Sequence, residues 1–327
     1  MRTADGQLLV PATLDWLNSS DSGRRWLVDL PDLTGEALAR FDVRQDGPLL
    51  AGMVSLVVPA VTAAGRPVVV KVRWPHPEAA HEVAALRAWA GTGAAVELLD
   101  EAVDLDALLL ERLDPGTPIS MLAPAAADRV VAGLVDRAAV PASPGAFRSL
   151  ADWADDWVDD LTGRAAALRM AGGPDDASAA ARLADRAALV AARLAGTQPG
   201  PPIVANEDLH PDNVILGGDG WRIIDPKPVA GELAFAAARW VWDWAWDDET
   251  EAIRSWRATK GPQFDPVDRV ELISRLLGVD EGRLAGWAFV SAARAAVWWP
   301  GPVDVADPAW RPSSALTAAT CLARGRS

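Results

Sequence analysis

The segment Asn206-Glu-Asp-Leu-His-Pro-Asp-Asn213, followed by Ile223-Ile-Asp225, carries residue types at spacings that suit phosphoryl transfer. Asp208 offers a carboxylate on a short loop, where it could orient or deprotonate a hydroxyl. Asn213 and Asp225, the latter at a predicted strand end, offer oxygens for Mg²⁺, a hard cation that prefers such ligands. A protein that moves a phosphoryl group supplies mainly positioning and charge neutralisation, and that is what these residues can do.

A phosphate donor also needs a cation. Lys71 ends the apolar run Pro67-Val-Val-Val, and Glu82 follows on a predicted helix, facing back toward the strand. A strand lysine held by a helix glutamate, then a loop Asp with an Asn five residues on, then a metal-binding Asp, is the order a kinase site takes. Singly, each is ordinary: Lys71 a strand-end charge, Glu82 a helix-surface acid, Asp208 and Asn213 turn formers, Asp225 a strand stop. Their joint order on the right elements is the signal.

The bulk of the sequence narrows the class. The chain has 327 residues, half of them apolar, enough for a sizeable core in one or two domains. A formal charge of −14 argues against a nucleic-acid partner, whose phosphates require Lys and Arg, and suits a cationic small molecule or plain solubility. Cys321 is the only cysteine, which excludes a disulfide framework, and His76, His81 and His210 are too few for a histidine metal site. Met1-Arg-Thr-Ala-Asp5 lacks the apolar core of a signal peptide, and the apolar stretch 284–299 is broken by Arg294. The expectation is a cytoplasmic protein with no membrane partner.

The elements that must position the site follow from periodicity. Residues 11–40 read as two or three short helices with Trp16, Leu17, Trp26, Leu27 and Leu30 apolar. From about 41 the pattern turns to strand: Ser55-Leu-Val-Val-Pro-Ala-Val and Pro67-Val-Val-Val-Lys-Val flank the turn Ala63-Ala-Gly-Arg66. A helix opens at Pro77-Glu78 and ends at Gly91, and strands follow near 95–100 and 106–112. After Asp114-Pro-Gly-Thr-Pro118 the chain becomes helical, over 122–140, 146–170 and 175–196. Leu150, Trp153, Trp157 and Leu161 form the buried face of the second of these, opposite Asp152, Asp155, Asp156, Asp159 and Asp160. A strand at Ile203 leads into the 206–213 loop, a hairpin turning at Gly217–Gly220 ends at Asp225, and the remainder reads as helix.

These features resemble the aminoglycoside phosphotransferase family, in its streptomycin 6-phosphotransferase and hydroxyurea-kinase branch. The resemblance is carried by Ser55-Leu-Val-Val-Pro-Ala, Val69-Val-Lys71-Val, Leu86-Arg-Ala-Trp89, Glu97-Leu-Leu-Asp100, Leu108-Leu-Leu-Glu-Arg-Leu113, Asp208-Leu-His-Pro-Asp-Asn213-Val, Ile224-Asp-Pro-Lys227-Pro and Arg283-Leu-Ala-Gly-Trp287. It implies an α+β, two-lobed protein-kinase-like fold: a β-rich nucleotide-binding lobe over 1–113 and a mainly helical catalytic and substrate-binding lobe over 114–327. It implies ATP or GTP as co-substrate with Mg²⁺, Lys71 on the phosphates held by Glu82, and backbone groups of Glu111 and Leu113 on the purine edge. Gly52 to Ser55 would lie over the phosphates, Asp208 would act on the acceptor hydroxyl, and Asn213 and Asp225 would hold the metal.

The departures are specific. Asn206 stands where the family usually has His, Glu207 is acidic beside Asp208, and Ala236 replaces a second acid in Gly231-Glu-Leu-Ala-Phe-Ala236. On the acceptor side Glu207, Asp243 and Asp247 are candidates for a cationic substrate, with Trp240, Trp244 and Trp246 as pocket walls, or else core tryptophans beside solvated acids. Three readings stay open: a kinase of a small cationic antibiotic, a kinase of another hydroxylated metabolite, and a catalytically weak kinase-like binding protein.

Overall fold

In a computed structural model of the chain, the structure describes residues 10–76, 81–171, 175–243, 266–297 and 314–324. The chain divides into two compact units: Met1–Gly91 with Ala95–Thr117 and Leu216–Gly220, and Thr92–Ala94 with Pro118–Ile215 and Trp221–Ser327.

The first unit is built on an antiparallel sheet in the order β1-β3-β4-β6-β5, with β2 paired to β3. Its strands are β1 (Val43–Gln45), β2 (Leu50–Ala51), β3 (Ser55–Thr62), β4 (Pro67–Arg73), β5 (Leu98–Ala102) and β6 (Ala107–Glu111). Register pairs Leu56 with Val72, Val58 with Val70 and Ala60 with Val68, so four β-branched valines share one face with Leu56 and Ala60. That face is buried in one core with Trp26, Leu30 and Ala37 of helix α1 (Asp21–Arg40). Each valine or leucine so buried contributes about 1.5–3 kcal/mol. The period of two then puts Lys71, between Val70 and Val72, on the opposite face.

The N-terminal segment differs from the expected short helices. A 3-10 stretch, Ala12–Ser19, leads into a single 20-residue helix that runs through Pro31. Ser20 starts it, its hydroxyl accepting the Gly23 N–H at 3.0 Å. Burial of Trp26, Leu30, Thr34 and Ala37 along one stripe holds the helix together across the proline.

In the second unit, α3 (Pro124–Ala138), α4 (Leu150–Ala171) and α5 (Asp175–Ala195) are followed by β8 (Ile203–Asn206), which comes after the short β7 (Thr117–Pro118) in chain order. The predicted face of α4, Leu150, Trp153, Trp157 and Leu161, is buried, and Asp152, Asp155, Asp156 and Asp159 are exposed. The hairpin β9 (Val214–Gly217) and β10 (Gly220–Ile223) precedes a strand absent from the sequence reading, β11 (Pro228–Gly231), antiparallel to β8. Pro226 and Pro228 read as stops, but proline is tolerated at the first position of an edge strand, where no ladder N–H is needed. Helix α6 (Leu233–Trp242) follows, then α7 (Pro266–Leu277), α8 (Glu281–Val297) and α9 (Ser314–Arg324).

Two buried ion pairs tie these helices. Arg269 of α7 reaches Asp128 of α3 at 2.5 Å, and the Trp240 indole donates to the same carboxylate at 2.8 Å. Glu232, just before α6, accepts from Arg283 of α8 at 2.6 and 2.9 Å and from the Trp287 indole. Both carboxylates are almost fully buried, and each is neutralised by an arginine and capped by an indole N–H. Among the described residues, no helix is long and apolar enough to cross a membrane.

Candidate active site

Lys71 lies on β4 between Val57 of β3 and Leu108 of β6. Its ammonium meets Glu82 Oε1 at 2.6 Å, with Lys71 6 % and Glu82 2 % exposed. Glu82 opens helix α2 (Glu82–Ala88), where the dipole favours an acid. Its other oxygen faces Arg73 Nη1 at 3.5 Å. One buried carboxylate is thus shared by two cations, of which Arg73 also reaches Asp106 Oδ1 at 3.4 Å. Pro77 and Glu78, the expected start of this helix, lie outside the described residues.

Ser55 is buried at the start of β3, and its carbonyl accepts the Gly52 N–H at 3.0 Å. The turn before it is fastened by Trp16, whose indole donates to the Met53 carbonyl at 2.8 Å. The Glu111 N–H is committed to the Glu97 carbonyl at 3.0 Å, and its side chain accepts the Glu97 N–H at 2.9 Å. Leu113 lies against Gly217, where an added Cβ would come within 2.8 Å of its Cδ2. A larger residue there would require the Leu113 side chain to shift.

In the second unit Asp208 is 7 % exposed and engaged on every side. Its carbonyl accepts the Asn213 amide at 3.0 Å, and its N–H donates to Asn206 Oδ1 at 3.1 Å. One carboxylate oxygen pairs with Arg239 Nη1, the other with Lys227 Nζ at 3.2 Å. Arg239 also holds Asp243, Nε to Oδ2 at 2.6 Å.

Asn213 and Asp225 are brought together through the main chain: the Ile224 N–H donates to the Asn213 carbonyl at 2.9 Å, one residue before Asp225. Asp225 takes a left-handed backbone, φ 49°, which Asp tolerates better than most residues and which turns the chain sharply after β10. Because the Asn213 Nδ2 is spent on Asp208, its Oδ1 is the atom presented as a ligand. Two hard oxygens of this kind fit Mg²⁺, which takes its other ligands from water and phosphate. No cluster of three or more His, Cys, Asp or Glu side chains suited to a metal exists among the described residues.

His210 precedes the 3-10 turn Pro211–Asn213. Burial pushes its imidazolium below the ordinary range, against the opposing pull of Asp243 and Asp212. Glu207 lies near Arg148, whose charge is stabilised first by a hydrogen bond to Asp156 and also by the Glu207 field. Trp240 is core rather than pocket wall, 1 % exposed on Asp128. Asp247, Trp244 and Trp246 lie outside the described residues.

Residues 40–301 match the family model described as aminoglycoside/hydroxyurea antibiotic resistance kinase. The chain belongs to that family. This kinase is 33 % identical over 287 residues to the streptomycin 6-kinase of Streptomyces griseus, covering 86 % of each chain. It is also 33 % identical to the hydroxyurea phosphotransferase of Kitasatospora aureofaciens over 296 residues, covering 88 % of this chain and 78 % of that one. Among solved structures it is similar to a thermostable mutant of an aminoglycoside phosphotransferase in complex with AMP-PNP and hygromycin B. There the TM-score is 0.55 at 16 % identity, covering 89 % of this chain and 97 % of the other. A choline/ethanolamine kinase family protein from Mesorhizobium loti gives a TM-score of 0.53 at 19 % identity, covering 89 % and 93 %. The α+β, protein-kinase-like fold class expected from the sequence is thereby established.

Arg239 of the kinase escaped the sequence reading. Its only signal was a position four residues before Asp243, one helical turn away. Lys227 appeared in a quoted motif without a role. Ala236, where the family carries a second acid, is buried in α6, while the carboxylate of Glu232 is spent on Arg283 and Trp287.

Proposed function

We propose that this kinase transfers the γ-phosphoryl group of ATP or GTP, with Mg²⁺, to a hydroxyl of a small cationic antibiotic of the aminoglycoside or aminocyclitol type, in the cytoplasm. What supports the reading most is Asp208: a buried carboxylate held by its main chain, with Asn213 and Asp225 next to it in the fold.

In this reading Asp208 accepts the acceptor hydroxyl's proton as the oxygen–phosphorus bond forms and the bond to the departing nucleoside diphosphate breaks. Asn213 and Asp225 hold Mg²⁺, which neutralises phosphate charge when bound. Lys71, aimed by Glu82, pairs with donor phosphates; the turn ending at Ser55 lies over them; and the backbone of Glu111 and Leu113 meets the purine.

A second reading has an observation of its own. Asp243 and Glu207, chosen for a cationic acceptor, already face Arg239 and Arg148 of the chain itself. A small neutral acceptor such as hydroxyurea needs no acid at those positions.

The test uses purified protein with Mg²⁺, ATP or GTP, and a panel spanning streptomycin, other aminocyclitols and hydroxyurea. It measures nucleoside diphosphate release and phosphate mass on the acceptor. Transfer to streptomycin that is lost in Asp208→Asn supports the first reading, and transfer to hydroxyurea alone supports the second. Failure to bind either nucleotide would sink both.

A further inference from the structure

Asp208 has both carboxylate oxygens occupied by cations, Arg239 on one and Lys227 on the other. Each oxygen keeps a second lone pair, but two cations on one carboxylate favour its ionised form and so weaken it as a base toward an incoming hydroxyl or water. Water is the competing acceptor for any kinase: it is abundant, small and able to reach a 9 %-exposed carboxylate side chain.

The two cations are held differently. Arg239 lies on α6, its side chain is 32 % exposed, and Nε is fixed to Asp243 Oδ2 at 2.6 Å while Nη1 spans to Asp208. Rotation about the Asp243 contact would release Nη1 without leaving Arg239 unpaired. Asp208 would keep Lys227 at 3.2 Å, so its charge would stay compensated. A cation with a second partner one turn away can leave and return at little cost, because neither end becomes a buried lone charge.

We propose that Arg239 is a positioning residue that closes Asp208 to water until an acceptor is bound, with Asp243 as its pivot. In the reaction it guards against, a water oxygen bonds to the γ-phosphorus, the bond to the nucleoside diphosphate oxygen breaks, and the water proton passes to Asp208. With Arg239 in place the affinity of Asp208 for that proton is lowered by a second cation on the carboxylate. An acceptor, bound through contacts water cannot make, stabilises the arrangement in which Nη1 has turned away. The proposal rests on the phosphotransferase reading above, and it concerns how that site discriminates rather than what it phosphorylates.

The experiment compares wild type, Arg239→Ala, Arg239→Lys and Asp243→Asn. Nucleoside diphosphate release is followed without acceptor, and phosphorylated acceptor is followed with it. Arg239→Ala is expected to raise acceptor-free hydrolysis about tenfold or more, with the roughly 10²–10⁴ that a general base commands as the ceiling, and to lower the ratio of transfer to hydrolysis by at least as much. Arg239→Lys restores part of the suppression. Asp243→Asn removes the pivot, leaves Arg239 on Asp208, and lowers kcat for transfer without raising hydrolysis. The hydrolysis arm contains no acceptor, so it is read even if the antibiotic panel yields no substrate. Equal falls of hydrolysis and transfer in Arg239→Ala, the pattern of a merely structural residue, would overturn the proposal. So would unchanged hydrolysis in a variant whose circular dichroism and melting match wild type.

Discussion

Asn206 is tied to Lys227 by one hydrogen bond, from the Lys227 main-chain N–H to Asn206 Oδ1 at 3.0 Å. The same oxygen accepts the Asp208 N–H at 3.1 Å, and Asn206 itself faces Pro228 across the β8–β11 pair. A single amide therefore fastens the Asp208 loop to the segment that leaves Asp225.

Replacing Asn206 with Ala leaves two main-chain N–H groups without their acceptor, at a cost of about 1–3 kcal/mol for each one that stays buried. The expected result is a lower denaturation midpoint and a kcat reduced well beyond any change in nucleotide KM. Asn206→Asp keeps the acceptor and should lose less. Urea melts and steady-state kinetics on the three proteins check the order.

Glu82 faces both Lys71 and Arg73, whereas Lys71 is one of two cations on Glu82. Removing the shared carboxylate takes the Glu82 contact from two cations at once, with Arg73 keeping Asp106 at 3.4 Å, so Glu82→Gln should destabilise more than Lys71→Met. Breaking such a buried pair from one side costs about 3–5 kcal/mol. Chemical denaturation gives the ranking. Equal losses would mean that Arg73 draws little from Glu82.

Asp225 occupies a left-handed backbone that Asn also adopts readily. Asp225→Asn should therefore fold and melt close to wild type, yet need about tenfold more Mg²⁺ for half-maximal turnover. Asp225→Val should lower the melting temperature as well, because a β-branched residue is strained at that φ. Magnesium titrations with thermal melts separate the two effects.

His210 is held neutral by burial, below its ordinary value of 6.5. The unfolded chain then binds a proton that the folded chain refuses, so stability falls as pH drops below about 6.5 and continues falling toward the depressed folded value. His210→Gln should flatten this dependence between about pH 7 and 5. The difference between the two proteins' unfolding free energies across that window is the measurement. A parallel pair of curves would contradict the assignment.

How much of this was legible beforehand depended on the range of the interaction. The β-branched content of Ser55-Leu-Val-Val-Pro-Ala-Val and of Pro67-Val-Val-Val-Lys-Val, on either side of a turn signal, announced β3 and β4. Lys71 was read only as the end of that run, and the strand register is what puts it on the face opposite Val70 and Val72. The Asp208–Asn213 spacing and the hairpin ending at Asp225 are local and were read directly. Strand β11 was missed because Pro226 and Pro228 are local stop signals, and only pairing with β8 makes an edge strand of them. Helix α1 was divided too finely because its continuity through Pro31 depends on a sheet that comes later in the chain.

The sequence by itself determined the reaction chemistry, since residue types at fixed short separations are properties of the chain. Tertiary structure alone decided the electrostatic state of Asp208. Asp208 and Arg239 are separated by 31 residues, and nothing in either neighbourhood says that they meet. Their pairing exists because β8 and the helix after β11 fold onto one another, and charge interactions depend on distance in space, not on position along the chain.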